Sequence, residues 1–284
     1  MASAAIIAKL ARATACGAGY APAMELNGTS AIVTGGASGL GEAAARTLAA
    51  VGAHVIVADL NEDLGKQVAS DVGGHFVKTN VADEDSVSEM VAAAQASGRP
   101  LRVAVNCAGI GYAARTVNRD GSPHDLAGFT RVITVNLTGT FNVLRIAASA
   151  MAKTEPVDAD GQRGVIINTS SVAGIEGQTG QIAYSASKGG IIGMTVPAAR
   201  DLSVIGVRVN TICPGVILTP IYKSIAGGGR DADEFLARLA APVVFPKRLG
   251  RADEFGHLVR SLIENDYMNA EVVRFDGGIR FQPK

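Results

Sequence analysis

From Ser30 onward, short runs of apolar and β-branched residues alternate with longer alanine- and leucine-rich amphipathic stretches. Short continuous apolar runs are typical of strands covered on both faces, and the longer stretches are typical of helices. The alternation predicts repeated βαβ units and a doubly wound parallel sheet with helices on both faces. Seven strands are expected, centred on residues 31–34, 54–58, 75–77, 102–105, 165–168, 207–212 and 272–275.

The remaining segments suggest how the chain is organised around this sheet. Polar residues at 115–125 and 153–163 predict two surface loops. Residues 219–248 contain three consecutive glycines, 227–229, before a helical pattern at 231–239. This segment is interpreted either as a mobile lid over the active site or as an ordinary surface excursion. Residues 24–284 are expected to form a single domain.

The first 23 residues are rich in alanine, carry Lys9 and Arg12, and lack any acid. They resemble a targeting sequence, but a disordered extension is the preferred interpretation. The expected location is therefore the cytoplasm, with the mitochondrial matrix as the alternative.

The composition limits which classes of ligand the protein is expected to bind. The formal net charge is zero, so no global basic field favours nucleic acid or an anionic membrane, and a small-molecule substrate fits better. The three cysteines form no C-x-x-C pair, and the four histidines are scattered without metal-ligand spacing. Neither a disulfide framework nor a metal site is predicted.

A glycine-rich motif at residues 34–41 lies between the first strand and an alanine-rich helix. Glycines let the backbone approach a pyrophosphate, whose charge is favoured at a helix N-terminus. The spacing G-x-x-x-G-x-G departs from G-x-G-x-x-G, and a glycine turn without a ligand is the alternative. The residues predicted to bind the cofactor here are Gly35, Ser38, Gly39, Leu40 and Gly41.

Asp59 ends the second strand, 18 positions after Gly41. That spacing is close to the one at which an acid accepts hydrogen bonds from the adenosine ribose. A carboxylate there repels the extra phosphate of NADP, and neither arginine nor lysine occurs at positions 37–41 or 60. The expected cofactor is therefore NAD, unless Asp59 is only a solvated loop acid.

Tyr184 and Lys188 are one helical turn apart, and Ser171 lies 13 residues before Tyr184, just past a predicted strand. A phenol with an ordinary pKa of about 10 is a poor base at neutral pH, but a nearby ammonium favours its ionised form. The Ser171 hydroxyl can position a substrate oxygen. Together the three residues predict proton transfer to or from a secondary alcohol.

From residue 24 to residue 284 the chain resembles the short-chain dehydrogenase/reductase family. The motifs that carry the resemblance include the glycine turn, Asp59, the Ser171, Tyr184 and Lys188 set, and three further segments at 106–109, 135–137 and 214–215. The resemblance implies a Rossmann-type fold and a homotetramer. It also implies that Asn136 joins the catalytic set through a water relay toward Lys188.

The resemblance extends the predicted cofactor site and adds Tyr184 and Lys188 to it. The family usually has an aspartate at position 80, where an asparagine oxygen can still accept a hydrogen bond. Gln178 is implied to face substrate, with a turn-capping amide as the alternative. The additional cofactor residues are Asn80, Val81, Asn106, Cys107, Ala108, Gly109, Pro214, Gly215, Ile217 and Thr219.

Segments 163–169, 184–191 and 274–280 resemble the members of this family that act on 3-hydroxyacyl-CoA and hydroxysteroids. The expected function is hydride transfer between NAD(H) and such a secondary alcohol or its ketone. A 3-oxoacyl-carrier-protein reductase is one alternative, although Asp59 argues against its usual NADP. A catalytically silent nucleotide-binding scaffold is the other.

Overall fold

The computed structural model describes residues 24–220 and 230–283. Its main sheet has seven strands in the order β3-β2-β1-β4-β5-β6-β9, and every neighbouring pair is parallel. The predicted doubly wound Rossmann-type fold is confirmed. These strands are β1 Ser30–Thr34, β2 His54–Asp59, β3 His75–Lys78, β4 Leu101–Asn106, β5 Gly164–Thr169, β6 Val207–Pro214 and β9 Val272–Phe275.

Helices cover both faces of the sheet. The α-helices are α1 Gly39–Ala50, α2 Glu62–Asp71, α3 Glu84–Ala96, α4 Leu126–Val132, α5 Gly139–Met151, α6 Ile182–Ser203, α7 Arg230–Ala240 and α8 Ala252–Glu264. A π-helical turn, Ile133–Thr138, joins α4 to α5, and a 3₁₀ turn, Val172–Gly174, follows β5.

Two apolar cores lie on opposite faces of the sheet. Alternate strand residues point to opposite faces, so Val33 packs in one core and Ile32 in the other. The first core includes Leu48 of α1 and Phe255 of α8, and the second is closed by α3, α5 and α6. Because both faces are covered, the central strands need the continuous apolar runs from which they were predicted.

The strand order places a crevice at the carboxyl end of the sheet. The chain moves outward from β1 through β2 to β3, then returns to β4 on the other side of β1. The loops that follow β1 and β4 therefore diverge. Such a switch point is where open α/β sheets bind ligands.

Segment 219–248 is described only in part. The predicted helix at 231–239 is confirmed as α7, whereas the three glycines 227–229 lie outside the described residues. Two short strands that were not predicted, β7 Ile217–Leu218 and β8 Gly250–Arg251, pair in parallel at the two ends of this segment.

Both predicted surface loops are confirmed, and the second is tied to the sheet by buried arginines. Arg208 of β6 is buried and donates to the carbonyl oxygens of Leu262, Ile263 and Met268 and to Oε1 of Gln162. Its guanidinium therefore satisfies carbonyls at the C-terminal end of α8.

Among the described residues, none of the helices is long and apolar enough to span a bilayer.

Candidate active site

The glycine-rich turn forms a close-packed cradle at the start of α1. Gly35 has a φ of 64°, and a Cβ on it would lie 2.8 Å from the backbone nitrogen of Ala108. A Cβ on Gly41 would overlap the carbonyl oxygen of Gly35. Ser38 is extended and does not cap the helix with its side chain. The first turn of α1 thus faces the crevice with its backbone N–H groups, an arrangement that fits a pyrophosphate.

Asp59 is held beside this cradle at the end of β2. Its carboxylate accepts hydrogen bonds from the backbone N–H groups of Ala37, at 3.1 Å, and of Asn61, at 2.9 Å. Two backbone donors fix the orientation of the acid toward the cleft. Lys188 is the sole cation among the described residues that line the cleft.

A cleft of about 680 Å³ opens over the carboxyl ends of β1, β4 and β5. It receives most of the residues that were predicted from the sequence. These are Gly35, Ser38, Gly39, Leu40, Gly41, Asp59, Asn80, Val81, Cys107, Ala108, Gly109, Ser171, Tyr184, Lys188, Pro214, Gly215, Ile217 and Thr219. A cradle for a pyrophosphate, an acid for a ribose and a Ser-Tyr-Lys set therefore share one cavity.

Ser171 and Lys188 are each positioned by a backbone group of the short segment 169–173 at the end of β5. Ser171 caps the 3₁₀ turn, its Oγ accepting a hydrogen bond from Ala173 N–H at 3.1 Å. Lys188 Nζ donates to the carbonyl oxygen of Thr169 at 2.8 Å and lies 5.7 Å from the centre of the Tyr184 ring. Burial lowers the pKa of Lys188 to about 8.

Asn136 lies in the π-helical turn, fully buried below the cleft rather than on its surface. Its Oδ1 accepts from Ile110 N–H at 2.8 Å, and its Nδ2 donates to Ile110 O at 3.0 Å and to Ser187 Oγ at 3.1 Å. Ser187 in turn donates to the carbonyl oxygen of Tyr184. Asn136 thus joins the segment after β4 to the helix that carries Tyr184 and Lys188.

Asn106 does not line the cleft, in contrast to the prediction. Its Nδ2 donates to Asn168 Oδ1 at 2.9 Å, and its Oδ1 faces the Thr34 hydroxyl at 3.5 Å. The side chain therefore links β1, β4 and β5 from within the sheet, because its strand position points it inward. Asn80 does line the cleft, and its Oδ1 accepts from Ala82 N–H at 3.1 Å, an interaction an aspartate would also make.

Gln178 also lies outside the cleft. Its Nε2 donates at 3.0 Å to the carbonyl oxygen of Gln282, near the C-terminus. Gln181, three positions further on, lines the cleft and accepts from Gln178 N–H through its Oε1. The local turn is thus capped by Gln181, and Gln178 holds a distant segment.

Several lining residues had no signal in the sequence. They come from the end of β3, from the loop after β4, from the residue before α6 and from the C-terminal tail. The largest are aromatic: Tyr112 lies against Gly128 and beneath the guanidinium of Arg131, 5.9 Å from the ring centre, and Phe281 comes from the tail. The unpredicted set includes Thr79, Ile110, Tyr112, Gln181 and Phe281.

Cysteines near the cleft show no sign of nucleophilic chemistry. Burial raises the pKa of Cys107 to about 11, and it also raises the pKa of Cys213. Both thiols therefore stay protonated at neutral pH, as is typical of buried cysteines that pack as small apolar residues. Within residues 24–220 and 230–283, the acids, cysteines and histidines form no group of three that could hold a metal.

The family follows from comparison with known proteins. A family model described as short chain dehydrogenase matches residues 29–228, and the chain belongs to that family. It is an oxidoreductase that acts on CH–OH groups of a small-molecule substrate, with NAD(H) as its cofactor.

Particular relatives cover nearly the whole chain. It is 48% identical over 261 residues to 3-hydroxyacyl-CoA dehydrogenase type-2 of Homo sapiens, covering 91% of this chain and 97% of the relative. The Drosophila melanogaster protein of that name is 46% identical over 255 residues, covering 89% and 97%. The crystal structure of the Mycobacterium avium protein of that name has a TM-score of 0.85 and 50% identity, covering 90% and 98%. These relatives are consistent with the expected dehydrogenase and not with the two alternatives.

Proposed function

We propose that this chain is a dehydrogenase of 3-hydroxyacyl-CoA or hydroxysteroid alcohols, in which Ser171, Tyr184 and Lys188 do the proton chemistry. The observation that carries the proposal is the convergence of these three side chains on the cleft that also contains the glycine cradle and Asp59. The substrate class is supported by the relatives, three of which share the name 3-hydroxyacyl-CoA dehydrogenase type-2.

The adenosine half of the cofactor would be held by the glycine turn and Asp59, and the nicotinamide half would lie toward Ser171, Tyr184 and Lys188 in the same cleft. Backbone N–H groups of the glycine turn at the start of α1 would bind the pyrophosphate, and the Asp59 carboxylate would accept hydrogen bonds from the adenosine ribose. Asn80 and Val81 would border the adenine, and residues 107–109 together with Pro214, Gly215, Ile217 and Thr219 would line the nicotinamide side. When bound, the nicotinamide accepts or supplies the hydride.

Tyr184 takes the proton from the substrate hydroxyl in the oxidative direction and returns it in the reductive direction. Ser171 uses one acceptor position for Ala173 N–H, which leaves its own O–H to donate to the substrate oxygen. A pKa of about 8 keeps Lys188 mostly charged at neutral pH, so its ammonium favours the Tyr184 phenolate. That support falls as the pH rises through 8.

Asn136 supports this chemistry by holding neighbouring segments in place. Its carboxamide fixes the Ile110 segment and, through Ser187, the turn of α6 that carries Tyr184. The water relay toward Lys188 implied by the family stays part of the proposal.

Homotetrameric assembly belongs to the same proposal and is tested by sedimentation equilibrium. A cytoplasmic location, with the mitochondrial matrix as the alternative, is tested by fractionating cells that express the chain.

The test is loss of NADH absorbance when the purified protein is mixed with acetoacetyl-CoA, with NADPH in parallel. Fast oxidation of NADH and slow oxidation of NADPH is the expected result. Tyr184→Phe should lower kcat by more than about a hundredfold while NADH still binds. Turnover of steroid ketones but not of acetoacetyl-CoA would identify hydroxysteroids as the substrate class. An unchanged kcat in Tyr184→Phe would contradict the proposed proton transfer.

A further inference from the structure

The C-terminal tail returns to the active site after β9. Residues 277 and 278 are glycines with φ values of 61° and 80°, and they turn the chain back after the strand. The side chain of Ile279 is then fully buried in a small apolar cluster with Val216, Val243 and Leu249. The tail is thus part of the packed structure, and its next apolar residue, Phe281, lines the cleft.

A cluster of ion pairs stabilises the start of the tail, next to the end of β9. The Arg274 guanidinium contacts Glu176 at 2.6 Å and Asp276 at 2.7 Å, and it donates to the carbonyl oxygen of Ile279 at 2.9 Å. Asp276 also accepts from Gly278 N–H at 2.9 Å. These groups are largely shielded from water, with 22% of the Arg274 side chain and 7% of the Asp276 side chain exposed, so the bonds are stronger than surface pairs.

The end of the tail is bound to the loop that leads into α6. Gln178 Nε2 donates to Gln282 O at 3.0 Å, while the N–H and hydroxyl of Thr179 donate to Pro283 O at 3.2 and 3.0 Å. The same loop continues into the helix that carries Tyr184. Contacts at both ends therefore fix the position of Phe281 relative to the Tyr184 helix.

Phe281 occupies a junction between two regions of the molecule. It lines the cleft together with Gln181, Tyr184 and Ser171. It also packs against the apolar cluster of Val216, Val243, Leu249 and Ile279, as Leu236 and Leu239 of α7 do. One ring thus contributes apolar surface to the cleft and is backed by the segment between the two short strands. An apolar group that reaches this part of the cleft would contact the ring.

We propose that the C-terminal segment 279–283 is a wall of the substrate site, in which Phe281 selects substrates by the size of the apolar group next to the reacting carbon. Gln178 and Thr179 are positioning residues, because they hold the tail without lining the cleft. The choice of an acyl-CoA as the substrate rests on the proposed function. The wall itself applies to any secondary alcohol that this cleft accepts.

The first experiment compares short and long substrates. For each variant, kcat/KM is measured for acetoacetyl-CoA and 3-oxododecanoyl-CoA with NADH, and for 2-butanol and 2-octanol with NAD⁺. Phe281→Ala should raise the long-to-short ratio about tenfold with an unchanged KM for the cofactor. Phe281→Leu should stay near the wild-type ratio, and Gln178→Ala should shift the ratio in the same direction by less. Tyr267→Ala, at an aromatic that is 98% exposed, is the matched control.

The two substrate pairs separate failure of the wall from failure of the proposed function. A wild-type protein that turns over only the alkanols would refute the acyl-CoA assignment, and the alkanol ratio would still test the wall. An active Phe281→Ala variant with an unchanged ratio would overturn the wall, and so would an equal shift in Tyr267→Ala.

The second experiment needs no turnover. The chain contains no tryptophan, so Phe281→Trp introduces a single fluorescent indole, with Tyr267→Trp as the control. With NAD⁺ present, addition of 2-octanone or of dodecanoyl-CoA, neither of which can react with the oxidised cofactor, should shift the Phe281→Trp emission to shorter wavelength and leave the control unchanged. Emission that responds to neither ligand, or that responds equally in both variants, would overturn the proposal.

Discussion

We expect buried Lys188 to lower the stability of the folded protein at neutral pH, and replacing it tests this expectation. Its side chain is 5% exposed, and burial lowers its pKa from 10.5 to about 8. A difference of about 2.5 units corresponds to about 3 kcal/mol against folding at pH 7, at about 1.4 kcal/mol per unit. Methionine has a similar volume and removes this penalty, but it leaves the Thr169 carbonyl without its donor, a loss of about 1 kcal/mol.

We therefore expect the cofactor-free Lys188→Met protein to be more stable than the wild type by about 2 kcal/mol at pH 7. The sign of the pH dependence follows from the lowered pKa. Between pH 8 and 10.5 the unfolded lysine binds more protons than the folded one, so wild-type stability rises with pH. At pH 9.5 the penalty has fallen to about 1 kcal/mol, and the two proteins should be nearly equal in stability.

Urea denaturation followed by circular dichroism at pH 7 and 9.5 measures both differences. The same variant should lose more than about a hundredfold in kcat, because the Tyr184 phenolate loses its cation. Lys153→Met removes one ammonium from an exposed loop and is the control. A Lys188→Met protein that is less stable than the wild type at pH 7, with a deficit independent of pH, would refute the argument.

Three other substitutions test separate parts of the structure. Asp59→Ala should lower kcat/KM for NADH by roughly thirtyfold and raise it for NADPH, and unchanged constants for both would contradict the assignment. Gly41→Ala should weaken NADH binding at least about tenfold in a fluorescence titration, because its Cβ meets the turn backbone, whereas Gly193→Ala, with open space around it, should bind normally. Arg208→Met should lower the free energy of unfolding by about 3 kcal/mol in urea, because buried carbonyls lose their donors, and a loss below about 1 kcal/mol would count against this.

Much of the fold could be predicted from the sequence because its signals are local. Strands covered on both faces require short apolar runs, and all seven runs proved to be strands of the sheet. The glycine turn and Asp59 stand at fixed distances from β1 and β2, so the chain itself brings them to one end of the sheet. Tyr184 and Lys188 share a helix face because they are four residues apart.

The misplaced residues show where local reasoning stops. Asn106 follows the same strand as the cleft residues 107–109, yet the pleat points its side chain into the sheet toward Asn168. Gln178 lies between two active-site residues in the sequence, but its amide bonds to the tail 104 positions away. The spacing between two residues gives their separation along the chain. It does not predict which way a side chain points or which distant segment packs against it.

The sequence by itself determined the class of fold, the cofactor end of the cleft and the Ser171, Tyr184 and Lys188 set, since each depends on periods and spacings within one βαβ unit or one helix. Only the tertiary structure decided that Phe281 and Tyr112 face the same cleft, that Asn136 lies below it and that Arg208 binds the last carbonyls of α8. These contacts join segments far apart in the chain. Their geometry is set by how helices and tail pack on the finished sheet, and no local pattern records that packing.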